Sequence, residues 1–147
     1  MNQNINIRKS RVDDSSILAK LFREHALYEG HDLQITDQFE LLEKGTHPAA
    51  IFIVEIDNSV LGYMSLLKQY STWDMESYLY LDCLFLRPEL RGFGVGRKLM
   101  STASDYAIEL GLSEIQWQTP VENIEAIGFY RKLGAQDKNK KRFFWDI

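Results

Sequence analysis

The residues with the clearest chemical potential form a glycine-rich segment that follows an apolar stretch and precedes an amphipathic one. It has glycine at alternate positions and arginine at both ends: Arg91, Gly92, Phe93, Gly94, Val95, Gly96 and Arg97. Glycine lets backbone N–H groups approach a ligand closely, and a helix start presents unpaired N–H groups and the positive end of the helix dipole. The arginines add charge-assisted donors. The segment is therefore predicted to bind an anionic phosphate group.

The spacing of this segment excludes two common nucleotide motifs. A dinucleotide fingerprint needs glycine where Arg97 stands, and a Walker A loop needs lysine followed by serine or threonine, whereas Lys98 is followed by Leu99. What remains is Arg-x-x-Gly-x-Gly between a predicted strand and a predicted helix. A glycine-rich turn that binds no ligand stays open as an alternative.

The elements around this segment alternate between strand and helix patterns. Strands are predicted at Ile5 and Ile7 and over residues 51–56, 60–67, 78–86, 114–118 and 142–145, the last after a solvated hairpin tip at 138–142. Helices are predicted after the capping residues 13–16, at 37–44, from Gly94 to Gly111, and from Asn123 to Gly134. This order predicts one α/β domain, residues 1–147, with a mixed, mostly antiparallel sheet flanked by helices.

Composition limits the function further. With 147 residues, 45% of them hydrophobic, the chain can form one substantial core. A single cysteine, Cys83, allows no intrachain disulfide, and the N-terminus lacks an apolar signal region, so a cytoplasmic protein is expected. A net charge of −4 argues against a nucleic-acid partner and mildly favours a cationic substrate. The longest apolar run is too short to span a membrane.

A second motif gives the chain a family resemblance. Residues 123–135 carry the spacing Asn-x-x-Ala-x-x-Phe-Tyr-x-x-x-Gly. Together with the glycine-rich segment it resembles the GNAT superfamily, the acyl-CoA-dependent N-acetyltransferases, over most of the chain. Residues 70–73, 79–82, 91–96 and 133–137 are similar to the spermidine/spermine (diamine) acetyltransferase branch.

The resemblance implies a set of site residues. Acetyl-CoA would be the cosubstrate, held by the glycine-rich segment, by backbone at Leu84, Phe85 and Leu86, which would also polarise the acetyl carbonyl, and by Asn123, Ala126, Phe129 and Tyr130. Tyr130 would protonate the departing thiolate, with a core tyrosine as the alternative. Tyr28 and Glu29 match a pair that contacts the acceptor in the diamine enzymes, with a solvated helix end as the alternative. A homodimer is also implied. Helix N-capping explains Asn123 equally well.

Asp82 is the candidate base because it interrupts an apolar strand where the diamine enzymes carry a glutamate. A lysine-like amine is almost fully protonated at neutral pH, so freeing its lone pair costs about 4–5 kcal/mol, which a carboxylate acting directly or through water relieves. Strand alternation predicts that Asp82 shares a face with Tyr78 and Tyr80, and that Cys83 faces the other way. A structural, ion-paired carboxylate is the alternative for Asp82.

These patterns predict direct acetyl transfer to a primary amine of a small molecule such as a polyamine, a diamine or a lysine-like amino acid. Two alternatives stay open: an acyl-CoA-binding regulatory module without turnover, and a protein N-terminal or lysine acetyltransferase. Cys83 is not expected to be a nucleophile, because no histidine lies near it in sequence. No metal is expected, since His25, His31 and His47 do not cluster with other ligand residues.

Overall fold

The computed structural model describes residues 4–147. The chain divides into two compact units, the described residues up to Trp117 and Gln118–Ile147. The prediction of a single domain therefore stays a prediction, and each unit is described by itself.

The first unit is built on a five-stranded sheet with the spatial order β1-β2-β3-β4-β5. Its strands are β1 (Ile5–Lys9), β2 (Ala50–Ile56), β3 (Ser59–Ser71), β4 (Glu76–Leu86) and β5 (Ile115–Gln116). The first four pair antiparallel, while β5 runs parallel to β4. The predicted mixed, mostly antiparallel sheet is confirmed, although β3 extends four residues beyond its predicted end and β5 keeps only two of its five predicted residues.

Three helices belong to this unit: α1 (Ser15–Tyr28), α2 (Phe39–Lys44) and α3 (Val95–Glu109). A core on one face of the sheet joins α3, through Val95, Leu99 and Ala103, to alternate residues of β2, β3 and β4. A second core joins Leu18 and Leu21 of α1 to the other set of alternate strand residues. The sheet therefore has helices on both faces, and successive residues of a strand point alternately into the two cores.

The start of α1 is held differently from the prediction. Asp14 precedes the helix in a short 3₁₀ turn (Val12–Asp14), but its side chain caps no helix N–H. Instead, its carboxylate receives the Arg11 N–H at 2.7 Å and two bonds from the Arg8 guanidinium at 2.9 and 3.0 Å. Arg8 also donates to Glu55 at 2.8 Å, so this ion-pair cluster ties β1 and β2 to the start of α1.

The second unit contains α4 (Ile124–Lys132), which Asn123 caps and which Gly134 follows at a φ of +97°. The predicted terminal strand at 142–145 is wrong, and so is the hairpin tip at 138–142. Residues 135–147 form neither helix nor strand, and the Phe143, Phe144 and Trp145 side chains are exposed. An aromatic pattern favours a strand but does not supply the paired backbone that a strand requires.

Candidate functional site

A β-bulge in β4 shapes the surroundings of Asp82. Ser65 of β3 lies opposite Cys83, whereas the next residue, Leu66, lies opposite Leu81, so Asp82 has no partner on β3. The extra residue reverses the alternation: Leu79 and Leu81 pack in the α3 core, and beyond the bulge Cys83 and Phe85 belong to the α1 core.

The predicted opposition of Asp82 and Cys83 is therefore wrong. The bulge brings their side chains together, and the Cys83 thiol donates to Asp82 Oδ2 across 3.8 Å. The Ser65 hydroxyl accepts the Cys83 N–H at 3.2 Å, which satisfies a backbone donor where the ladder is disturbed. Asp82 itself is solvent-exposed, as a residue that contacts a soluble substrate needs to be.

A line of polar side chains continues inward from Cys83 to α1. Tyr63 shares the α1 core with Cys83, and its hydroxyl lies 2.8 Å from His25 Nδ1. His25 Nε2 lies 3.2 Å from Glu29 Oε1 at the end of α1. The imidazole also stacks on Phe85, with 5.2 Å between ring centroids. Packing and hydrogen bonds thus fix His25 in one orientation.

The two buried groups of this line, the Cys83 thiol and the Tyr63 hydroxyl, stay protonated. Burial, together with the negative charges of Asp82 and Glu29, raises the pKa of the Cys83 thiol to about 11. Burial and the neighbouring thiol raise the pKa of Tyr63, which is only 3% exposed. A thiol in this state is a poor nucleophile.

The predicted acceptor residues lie beside the glycine-rich segment. The Arg91 guanidinium sits 4.8 Å from the centroid of the Tyr28 ring and donates to the Leu86 carbonyl at 3.2 and 3.3 Å. Glu29 follows Tyr28 at the end of α1 and is largely exposed. The structure therefore brings Tyr28, Glu29 and Arg91 together with the Asp82–His25 line at one end of β4.

An ion pair fixes this end of α1 against β4. Arg87, directly after β4, donates to both carboxylate oxygens of Glu24 at 2.8 and 2.9 Å. A two-bond arginine–carboxylate pair defines orientation as well as distance. It fixes the end of α1, which carries the predicted acceptor residues Tyr28 and Glu29, relative to the end of β4.

The glycine-rich segment has the backbone that phosphate binding requires. Gly92 and Gly94 have φ values of +85° and +76°, and a Cβ built on either would meet no atom within 4 Å. Gly94 caps α3, whose N–H bonds begin with Lys98 N–H to the Gly94 carbonyl at 3.2 Å. The N–H groups of the first helical turn are thus available to an anion beside open space. Arg97 is exposed on that turn, while Val95 is buried and anchors it.

The strand before this segment has an open edge within the first unit. β4 pairs with β5 only at Leu79 and Tyr80, so residues 81–86 have no ladder with β5. On the other edge, Gly62 of β3 lets the strands approach closely, because a Cβ there would lie 2.8 Å from the Phe85 carbonyl oxygen. Backbone groups of Leu84, Phe85 and Leu86 on the open edge fit the cofactor contacts that the resemblance implies.

The remaining predicted residues lie in the second unit. The Asn123 side chain accepts the Ala126 N–H at 3.3 Å, so its capping role is confirmed and its cofactor role stays a prediction. Phe129 and Tyr130 lie on α4 with ring centroids 5.4 Å apart. Burial raises the pKa of Tyr130, which favours the phenol, the form that a proton donor needs.

Sequence reasoning missed three residues of this region. From the sequence, His25 is considered only as a candidate metal ligand, although its spacing of four residues from Glu29 signals a side-chain pair. The sequence around Tyr63 and Gly62 contains no motif that indicates their roles, since those roles depend on which residues of β4 lie opposite them. Among residues 4–147, no group of three or more histidine, cysteine, aspartate or glutamate side chains could hold a metal ion, and no helix there has the length and apolar character to cross a membrane.

Comparisons with known proteins agree with this geometry. The family model described as acetyltransferase (GNAT) family matches residues 16–135. The chain is 29% identical over 135 residues to the uncharacterized N-acetyltransferase YhfO of Bacillus subtilis, covering 90% of this chain and 91% of that protein. It is 28% identical over 147 residues to thialysine N-epsilon-acetyltransferase of Bos taurus, covering 89% and 84%.

A solved structure shows the same fold. The aminoglycoside N-acetyltransferase AAC(6')-Iy in complex with CoA superposes with a TM-score of 0.78 at 18% identity, covering 99% of this chain and 97% of that one. The family match spans both the glycine-rich segment and the α4 motif. The chain belongs to the acetyltransferase (GNAT) family and is an N-acetyltransferase whose cosubstrate is acetyl-CoA.

Proposed function

We propose that this enzyme transfers the acetyl group of acetyl-CoA directly to a primary amine of a small molecule: a polyamine, a diamine or a lysine-like amino acid. One observation carries the proposal. Two exposed carboxylates lie near the glycine-rich segment: Asp82 on β4, 3.8 Å from the Cys83 sulfur, and Glu29 at the end of α1, directly after the Tyr28 ring that Arg91 contacts at 4.8 Å. An acidic surface at that position favours an acceptor that arrives as an ammonium ion.

In this proposal Asp82 receives the proton of the acceptor amine. Its carboxylate is exposed, and Asp82 is the residue of β4 that the bulge leaves without a partner on β3. Glu29 and the face of Tyr28 bind the stem or a second ammonium group of the acceptor. The thialysine acetyltransferase among the relatives acts on an amine of this shape, by its name, which supports the substrate class.

The remaining roles concern acetyl-CoA. The first turn of α3, with Gly92, Gly94 and Arg91, binds the pyrophosphate. Backbone N–H groups at Leu84 to Leu86 polarise the acetyl carbonyl as negative charge develops on its oxygen. Tyr130 donates a hydrogen bond or a proton to the departing sulfur, a role consistent with its raised pKa.

The test is CoA release from acetyl-CoA across a panel of diamines, polyamines, amino acids and peptides. We expect turnover on at least one small amine, with kcat reduced about hundredfold or more by Asp82→Asn and by Tyr130→Phe, while acetyl-CoA affinity is kept. Asp74→Asn is the matched control for the first change, because Asp74 lies in the distant turn between β3 and β4. Native turnover that survives Asp82→Asn unchanged would reject Asp82 as the base.

The same panel separates the two other hypotheses. Turnover on peptides alone would establish a protein acetyltransferase, and tight acetyl-CoA binding without CoA release would establish a regulatory module. A cytoplasmic homodimer is also part of the proposal. The single cysteine supports the compartment, and the exposed Phe143, Phe144 and Trp145 supply an apolar surface for a second copy. Sedimentation at micromolar concentration tests the dimer.

A further inference from the structure

The carboxylate of Glu29 lies where the helix itself gains little from it. Glu29 closes α1, and the negative end of a helix dipole disfavours a second negative charge at that position. Its side chain is 56% exposed and, among the described residues, makes one hydrogen bond, from Oε1 to His25 Nε2 at 3.2 Å. The second oxygen, Oε2, therefore remains available to a cation that arrives from solvent.

The imidazole that contacts Glu29 is held by two strands of the sheet. His25 Nδ1 lies 2.8 Å from the Tyr63 hydroxyl on β3. The ring stacks on Phe85 of β4, with 5.2 Å between centroids and 21° between planes. The His25 side chain is 13% exposed and Tyr63 only 3%. Contacts from β3 and β4 thus select one rotamer of a side chain that could otherwise rotate about two bonds.

The hydrogens of these three groups point outward from the core. An ionised carboxylate can only accept, so His25 Nε2 carries a hydrogen and donates it to Glu29. The Nδ1 of the neutral ring then accepts, and its donor is the Tyr63 hydroxyl. A buried phenol thus orients a half-buried imidazole, which in turn orients an exposed carboxylate.

This arrangement matters for an acceptor with two charges. An exposed glutamate samples several rotamers, and fixing one of them costs binding free energy unless the protein has already fixed it. The Phe85 ring beneath His25 belongs to the part of β4 whose backbone is proposed to hold the acetyl group. His25 therefore relates the place of the Glu29 carboxylate to the place of the reaction, and a fixed spacing favours one stem length between two ammonium groups.

The geometry points to His25 and Tyr63 as positioning residues that hold the Glu29 carboxylate for the second, non-reacting ammonium group of the acceptor. This inference rests on the proposed function, in which Glu29 contacts the acceptor. It makes a diamine a better substrate than a monoamine of the same stem length. It also assigns the preference for one stem length to the two buried contacts of His25.

The first experiment compares kcat/KM for a series of α,ω-diamines with kcat/KM for n-alkylamines of equal stem length. The ratio of the two values cancels any loss that affects both kinds of amine. We expect the native enzyme to favour the diamine about tenfold or more at its best stem length, and Glu29→Gln to remove that preference. His25→Phe and Tyr63→Phe should each lower the ratio about fivefold and flatten its dependence on stem length, because Glu29 keeps its charge but loses its orientation.

The two substitutions keep the packing while they remove the hydrogen bonds. His25→Phe retains an aromatic ring against Phe85 but cannot donate to Glu29. Tyr63→Phe removes only the hydroxyl and retains the ring contacts with Phe22 and Phe85, whose centroids lie 4.8 and 6.4 Å away. A purely structural role for either side chain would therefore leave the ratio at its native value.

Two matched variants control for the substitutions themselves. His47→Phe makes the same change in the segment before β2, and Tyr106→Phe removes a hydroxyl on α3, on the opposite face of the sheet. Both should keep the native ratio. A native ratio in His25→Phe or Tyr63→Phe would overturn the positioning roles while leaving amine acetylation intact. A native ratio in Glu29→Gln, or a native enzyme that does not favour diamines, would overturn them as well.

The second experiment needs no turnover, so it judges the positioning even if no amine is a substrate. Imidazole nitrogen NMR at about pH 8.5, where histidine is ordinarily neutral, should show His25 as the Nε2–H tautomer, and Tyr63→Phe should shift its Nδ1 resonance. With CoA present, at least one diamine between 1,3-diaminopropane and 1,6-diaminohexane should shift the Nε2 resonance more than the matched alkylamine does. That difference should vanish in Glu29→Gln.

The outcomes of the NMR experiment separate the inference from the proposed function. An Nδ1–H tautomer, an Nδ1 resonance that does not respond to Tyr63→Phe, or equal shifts with diamines and alkylamines would overturn the positioning of Glu29. If no amine releases CoA while the expected tautomer and the diamine shift are found, the proposed acetylation of small amines fails and the positioned carboxylate stands.

Discussion

Gly62 offers the sharpest test of how the sheet shapes the site. An alanine Cβ at this position would lie 2.8 Å from the Phe85 carbonyl oxygen and 2.7 Å from Leu86 Cδ2, whereas ordinary van der Waals contact begins near 3.4 Å. The Leu86 side chain can rotate away, but the carbonyl belongs to the backbone of β4. Gly62→Ala must therefore push β3 and β4 apart by about 0.6 Å at this point.

The expected cost follows from that displacement. Overpacking of a buried position costs about 1–3 kcal/mol, which for a chain of this length lowers Tm by about 2–12 °C. Because the displaced backbone is the one proposed to contact acetyl-CoA, KM for acetyl-CoA should rise as well. Thermal unfolding and initial-rate kinetics on the same preparation measure both effects.

Gly128→Ala is the matched control. Gly128 lies inside α4, where an added Cβ meets no atom within 4 Å. Alanine there should be neutral or should stabilise the helix by up to about 1 kcal/mol. If Gly62→Ala were as stable as Gly128→Ala, the close approach of β3 to β4 at this position would be refuted.

Three further predictions follow from the charges and the buried groups. Arg8 holds the pKa of Asp14 below its ordinary value, so this carboxylate stabilises the fold at neutral pH and loses that effect as pH falls below about 4. Arg8→Ala should therefore lower the free energy of unfolding in urea by about 2–4 kcal/mol at pH 7 and by clearly less at pH 3. An equal loss at both pH values would contradict the Arg8–Asp14 ion pair. Arg91→Ala should raise KM for acetyl-CoA about tenfold or more through loss of a charged contact to phosphate, and an unchanged KM would remove Arg91 from the cofactor site. Because the pKa of the Cys83 thiol is raised to about 11, iodoacetamide at pH 7.5 should alkylate Cys83 about a hundredfold more slowly than free cysteine. An equal rate for Cys83 and free cysteine would contradict the protonated state of the thiol.

The sequence predicts well those features that depend on neighbouring residues. The glycine-rich segment is a local turn followed by a helix, and Gly92, Gly94 and the start of α3 lie where the pattern put them. The order of strands and helices is set by local periodicity, and it too is confirmed except at the C-terminus. Asn123 is another local feature, since a cap needs only the helix that it begins.

Features that depend on pairing between distant residues could not be predicted. The bulge at Asp82 arises from the register of β4 against β3, and one extra residue reverses which side chains share a face. For that reason Cys83 meets Asp82, and Tyr63 enters the site from a strand with no motif of its own. The terminal strand predicted at residues 142–145 is wrong for a related reason, because no property of these residues alone determines whether a neighbouring strand is present.

The most direct test of the central claim is to incubate the protein with isotopically labelled acetyl-CoA and the panel of small amines, and to identify the labelled product by mass spectrometry. The account predicts one N-acetylated small primary amine formed in step with CoA. Label found only on protein or peptide, or acetyl-CoA bound but left intact, would contradict it.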